Sequence, residues 1–149
     1  MKNLFLRMAA FLFVAAAAPF IHAQATVDWE TTAKSLVRLE KLSCGLEEGI
    51  ARQVEERGIA SQDGREEIAV AAARSLHRAT CVLHRRFFDG AEESEIEERI
   101  LQMNKLSERL GEASAKIGLY GYLREKLAAF LNERDWLKKQ YGLDAARPS

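Results

Sequence analysis

The sequence predicts an all-α protein, and three observations carry that expectation. Proline occurs only at Pro19 and Pro148, so nothing between them removes a backbone donor from a helix. The intervening chain is rich in Ala, Leu, Glu, Arg and Lys, which enter a helix at the smallest conformational cost. Its apolar residues recur at steps of three and four, and no bounded segment alternates apolar with polar as a strand would.

The first helix should run from about Asp28 to Arg57, carrying Trp29, Ala33, Leu36, Leu39, Leu42, Leu46, Ile50 and Val54 on one face. Within it, Gly45 and Gly49 have G-x-x-x-G spacing, which suits close helix packing better than a membrane dimer. Gly58 to Gly64 interrupts the pattern, and Asp63 followed three residues later by Glu66 resembles a capping box. A second helix continues through Phe88, with Ile68, Ala72, Leu76, Ala79, Leu83 and Phe87 inward and its arginines late, as the helix dipole prefers.

Asp89-Gly90 ends that helix, and Asp89 with Glu92 repeats the capping pattern. The next stripe is Ile96, Ile100, Met103, Leu106, Leu110, Ala113 and Ile117. Gly118 and Gly121 weaken it before Leu123, Leu127, Phe130, Leu131, Leu137 and Tyr141 resume it. Residues 91–141 therefore read as one long bent helix or as two shorter ones joined near Gly118, giving a three- or four-helix bundle. Gly142 closes the last helix, so the single helical domain spans 26–142 and residues 143–149 form a flexible tail.

Residues 1–25 have the three parts of a cleavable signal peptide: Lys2 and Arg7, an apolar run from Met8 to Ala18, and a small-residue site ending Ala23-Gln24-Ala25. The run is 11 residues, short of the roughly 18 to 20 needed to span a bilayer, so cleavage near Ala25 (or Ala23) should leave a periplasmic or secreted product with no membrane anchor. Losing Lys2 and Arg7 leaves 20 basic against 22 acidic residues, a net charge near −2. Such a domain has no global field to draw nucleic acid or anionic membrane.

Cys44 and Cys81 are the only cysteines, and an even count in an exported chain predicts a disulfide. Their midpoint falls at residues 62 and 63, inside the expected turn, so in an antiparallel hairpin they should stand at equal height. The bond would close a loop of about 38 residues and contribute roughly 4 kcal/mol in the chain-entropy model. The resulting expectation is a disulfide-stapled hairpin followed by the C-terminal helix or helices.

His77, Cys81 and His84 share one helical face, and such a set with Cys44 could hold zinc or copper. A disulfide would consume the cysteines and leave two histidines two turns apart, about 11 Å, too far to share an ion. Arg74, Arg78, Arg85 and Arg86 form the most basic stretch and a candidate partner-docking patch, opposite in sign to the glutamates at 92–98. The pairs Glu48 with Arg52, Glu95 with Arg99, and Glu112 with Lys116 have i,i+4 spacing and read as exposed helix support. No catalytic motif, phosphate loop, calcium loop or haem-attachment motif occurs, so no cofactor is expected.

The expected function is accordingly a non-catalytic helical protein-interaction protein of the cell envelope: an adaptor, an inhibitor or immunity-type protein, or an accessory subunit. A holdase-type chaperone with an apolar groove, and a metal carrier using His77, Cys81 and His84, are the alternatives.

Overall fold

Helix α1, Trp29–Arg57, begins where Asp28 holds an extended backbone and accepts from the Glu30 N–H at 3.3 Å and from the Thr31 hydroxyl. It ends at Gly58, whose φ of +60° lies in the left-handed region that favours glycine. The computed structural model describes residues 27–58 and 63–144, so the expected signal peptide, residues 59–62 and the chain beyond residue 144 lie outside the described residues. Helices α2 (Arg65–Phe88), α3 (Glu93–Ile117) and α4 (Gly121–Gln140) follow, with no strand among the described residues. The long C-terminal stretch is thus two helices. Gly118, at φ +64°, donates its N–H to Ser114 O and stops α3.

Neither predicted capping box forms. The N-cap of α2 is Gly64 in the left-handed region, one residue later than the box requires, while Asp63 holds the Arg65 side chain. The N-cap of α3 is Glu92, without a side-chain bond, because Asp89 instead closes α2. At the other end of the domain, Gly142 at φ +64° lets the Leu143 N–H return to Lys138 O, and Leu143 packs against the core.

A line of buried positions runs through the helices in steps of three and four, broken in α4 between Phe130 and Leu137. These positions are Thr32, Leu36, Leu39, Ser43, Leu46, Ile50 and Gln53 in α1, where Ala33, Ser35 and Gly49 are buried beside them, and Ala69, Ala73, Leu76, Thr80, Leu83 and Phe87 in α2. In α3 they are Ile96, Ile100, Met103, Ser107, Leu110, Ser114 and Ile117, and in α4 Leu123, Leu127, Phe130 and Leu137. This spacing is the seam of helices packed nearly parallel to one another. It displaces several residues expected inside: Trp29 is 58% and Ile68 59% exposed, and Leu42, Val54, Ala79 and Leu106 lie half-buried on the flanks. Three of the inward hydroxyls are satisfied by their own helices: Ser43 donates to Glu40 O, Thr80 to Leu76 O and Ser107 to Asn104 O, at 2.7–2.9 Å, whereas Thr32, Ser35 and Ser114 are buried with no hydrogen-bond partner.

The four helices form an up-down-up-down ring in which α1 packs on α2 and α4, and α3 packs on α2. The α3–α4 edge is the loosest, and there Arg134 NH1 crosses to Ser107 Oγ at 2.6 Å. The α1–α4 edge is tight because Gly45 lies under Lys126 and Gly49 under Leu123, so the G-x-x-x-G pair is a helix-packing notch.

The predicted Cys44–Cys81 disulfide is not present, and both residues are free thiols. Equal height is met, since His77 sits opposite Glu47 and His84 opposite Glu40. Facing is not. Cys44 stands about 40° further round α1 than Glu40, and its thiol turns along its own helix to Glu48 while Cys81 reaches Glu40. The hairpin is held by packing instead.

At the opposite end of the ring from Asp28, the fully buried carboxamide of Gln53 joins three elements. Its Nε2 donates to Gly118 O at 3.1 Å, and its Oε1 accepts from the Tyr120 N–H at 2.7 Å. Arg57 adds donors to Ile117 O and Gly118 O and lies over the Tyr120 ring, 5.1 Å from its centroid.

Replacing Gln53 by Leu should orphan the Tyr120 N–H and lower stability by about 1–3 kcal/mol. Denaturant unfolding and faster exchange of the Tyr120 amide will show it, and unchanged exchange would mean that Gln53 does not hold the Tyr120 N–H. Gly49→Val should cost about 1–3 kcal/mol by overpacking against Leu123. Gly45→Ala, which displaces only the flexible end of Lys126, should be neutral or stabilising by up to about 1 kcal/mol.

Candidate functional site

The α1–α2 seam carries the ionisable residues singled out from sequence. Glu40 and Glu47 lie two turns apart on α1, as do His84 and His77 on α2, and the antiparallel register pairs them. His77 Nδ1 stands 2.7 Å from Glu47 Oε2, and Arg74 Nε donates to Glu47 Oε1 at 3.2 Å. His84 Nδ1 pairs with Glu40 Oε2, and the Cys81 thiol donates to Glu40 Oε1 at 3.5 Å. The Cys44 thiol donates to Glu48 Oε1 at 3.6 Å.

Each histidine is therefore committed to a different carboxylate, and His77, Cys81 and His84 do not converge. Among the described residues no group of three or more His, Cys, Asp or Glu side chains is arranged to hold a metal ion. The thiols are held protonated. Burial, then the Glu40 carboxylate, pushes Cys81 up to about 11, and burial with Glu48 raises Cys44. A thiolate nucleophile is scarce under those conditions. Partial burial raises Glu47, but hydrogen bonds from His77 and Arg74 outweigh it and hold the carboxyl below its ordinary range.

The arginine stretch divides into paired and unpaired members. Arg74 is occupied by Glu47, and Arg86 holds Glu95 through two bonds of 2.6 and 2.8 Å. Arg78 and Arg85 remain exposed, and the Arg78 side chain has no hydrogen bond or ion pair. Arg78 borders a groove of about 340 Å³ between α2 and α3, with Ser75, Ala79, Val82, Arg99, Gln102 and Leu106.

Arg99 is the residue that linear reading missed. Its spacing from Glu95 suggested an ordinary helix pair, but Arg86 has taken that carboxylate. Arg99 is left at 3.9 Å from Glu95 and 3.4 Å from Gln102 Oε1, with its Nε unpartnered. No signal in the linear order places Arg99 beside Arg78, because that neighbourhood depends on how α3 registers against α2.

Two other surface features are more self-contained. A groove of about 300 Å³ between α1 and α4, beside Trp136, has its cations matched: Lys34 by Glu30 at 2.6 Å and Arg38 by Glu133 at 3.8 Å. At the end where α1 begins, Trp29 stacks on Phe87 at 5.5 Å, and Phe88 stands edge-on to both Trp29 and His84. The rings are in contact, yet Trp29 remains 58% and Phe88 47% exposed.

No protein-family model, curated protein or solved structure matches the chain.

Two measurements check the seam. With a thiol near 11, Cys81 at pH 8 should alkylate roughly two orders of magnitude more slowly than a free cysteine, and Glu40→Gln should speed it up. Intact-mass kinetics with iodoacetamide read both, and a rate like free cysteine would contradict the burial beside Glu40. Glu47 has a depressed folded-state pKa, so its contribution is present above its unfolded value of about 4.3 and is lost as pH falls through the folded one. Glu47→Gln should therefore destabilise the protein at pH 6 and make little difference at about pH 2, by thermal unfolding at each pH.

Proposed function

We propose that this chain is an exported, non-catalytic protein-interaction protein whose working surface is the outer α2–α3 face. The observation that carries the reading is the groove there. Its apolar floor, including Val82 at 39% exposure, is left uncovered by the fold, and its Arg78 is left unpaired. Surface that stability does not use is where binding is to be sought.

The charge, apolar core and A-x-A site of residues 1–25 support export to the periplasm or beyond. Protonated thiols, and histidines already engaged by glutamates, favour binding over nucleophilic or metal chemistry. No helix among the described residues is long and apolar enough to cross a membrane. An adaptor, an inhibitor or an accessory subunit of an envelope machine fits these features.

Fractionation of producing cells, followed by crosslinking and mass spectrometry of the tagged chain, tests the reading. The expected result is a processed protein beginning at Thr26 or Gln24 in the exported fraction, joined to a defined partner in fixed ratio. Retention in the cytosol with residues 1–25 intact would overturn the export half. An exported monomer with no partner would overturn the interaction half.

A further inference from the structure

We infer that the α2–α3 groove takes an acidic amphipathic helical segment of a partner protein, with apolar side chains on Ala79, Val82 and Leu106 and carboxylates on Arg78 and Arg99. The inference rests on the interaction reading above and adds the chemistry of the partner. Charge carries it. Three guanidinium groups, on Arg78, Arg86 and Arg99, border this part of the surface, and Arg86 already binds Glu95 through two hydrogen bonds. Glu98, the next acidic residue along α3 on this side, is exposed and forms no ion pair with either remaining arginine. Arg78 therefore has no carboxylate in contact and Arg99 only a share of Glu95 at 3.9 Å, one arginine on each bank of the groove.

The geometry selects the form of the occupant. Ser75 to Val82 on α2 run antiparallel to Arg99 to Leu106 on α3, so the groove extends about 10 Å, close to two helical turns. A partner helix offers apolar residues along one stripe at that repeat and carboxylates three or four residues apart on either side. A guanidinium accepts a carboxylate through two parallel hydrogen bonds, which gives orientation as well as attraction. The apolar floor between the arginines would gain nothing from a bare inorganic anion. A basic segment would meet like charge, which is how such a rim rejects wrong partners.

The experiment uses the exported chain and two synthetic peptides of about 18 residues, long enough to become helical on binding. One carries leucines on a single helical face flanked by glutamates, and the other has lysine in place of every glutamate. Amide NMR should show the glutamate peptide shifting residues 75–82 and 99–106 saturably, with no saturable shift from the lysine peptide. Arg78→Glu should weaken binding about tenfold and Arg78→Glu with Arg99→Glu further, at an unchanged thermal midpoint for the single variant. Equal binding of both peptides, shifts centred elsewhere, or full affinity in Arg78→Glu would overturn the inference.

A second arm separates this from the broader reading. A photo-crosslinking residue at Ala79 in producing cells should capture a partner through an acidic segment, identified by mass spectrometry, while one at exposed Ala129 on α4 should not. Capture at Ala79 through a neutral or basic segment overturns the inference and spares the interaction reading. Absence of protein crosslinks at both positions overturns both.

Discussion

The ring of helices closes through one buried carboxamide. Gln53 takes the C-terminal carbonyl of α3 and the Tyr120 N–H that opens α4, both from within α1. Without those bonds the chain break at Gly118 would expose or bury polar backbone with no partner, a cost of the order of 1–3 kcal/mol for each unsatisfied group. With them, the break becomes a fixed reversal. α4 then returns along α1, and the glycine notch at Gly45 and Gly49 receives Lys126 and Leu123. Arg57 reinforces the same reversal from one turn further along α1.

That arrangement explains why the core tolerates so many polar side chains. Serines, threonines and Gln53 occupy inward positions that a uniformly apolar bundle would give to leucine. Ser43, Thr80 and Ser107 donate to carbonyls within their own helices, so burial does not strand them. Their small size also lets the helices approach closely. The α3–α4 edge is the exception, since Arg134 takes the inward place between Phe130 and Leu137 and holds those helices apart while bonding Ser107.

The same principle separates the two polar surfaces. Along the α1–α2 seam Arg74, His77, Cys81 and His84 each meet a carboxylate of α1, while the Cys44 thiol is held by Glu48 on its own helix, so these groups are engaged within the hairpin. Across the α2–α3 face the balance fails, because Arg86 and Arg99 compete for Glu95 and Arg78 has no acidic neighbour in contact. That face thus combines an arginine without an acidic contact with the exposed side chain of Val82.

Helix content, the boundaries of α1, the Gly58 and Gly142 stops and the equal height of Cys44 and Cys81 were legible in the linear sequence, because propensity, glycine and helical rise are local properties. The inward faces were only partly legible. Hydrophobicity favoured Leu42, Val54, Ile68 and Leu106, whereas the packed ring selected Ser43, Gln53, Ala69 and Ser107, whose polar atoms or small volume matter only against a neighbour. The thiol pairing failed for a related reason: rise sets height, but the rotation of each helix against its partner sets direction. The basic stretch on α2 was visible as four arginines in a row of turns. Which of them stay free was decided by Glu47 on α1 and Glu95 on α3, and the second half of the groove, Arg99, came from a helix that only tertiary register brings alongside. Local chain chemistry thus determined the elements and their ends, and the rotation and register of helices against one another decided which charges are paired and which stay exposed.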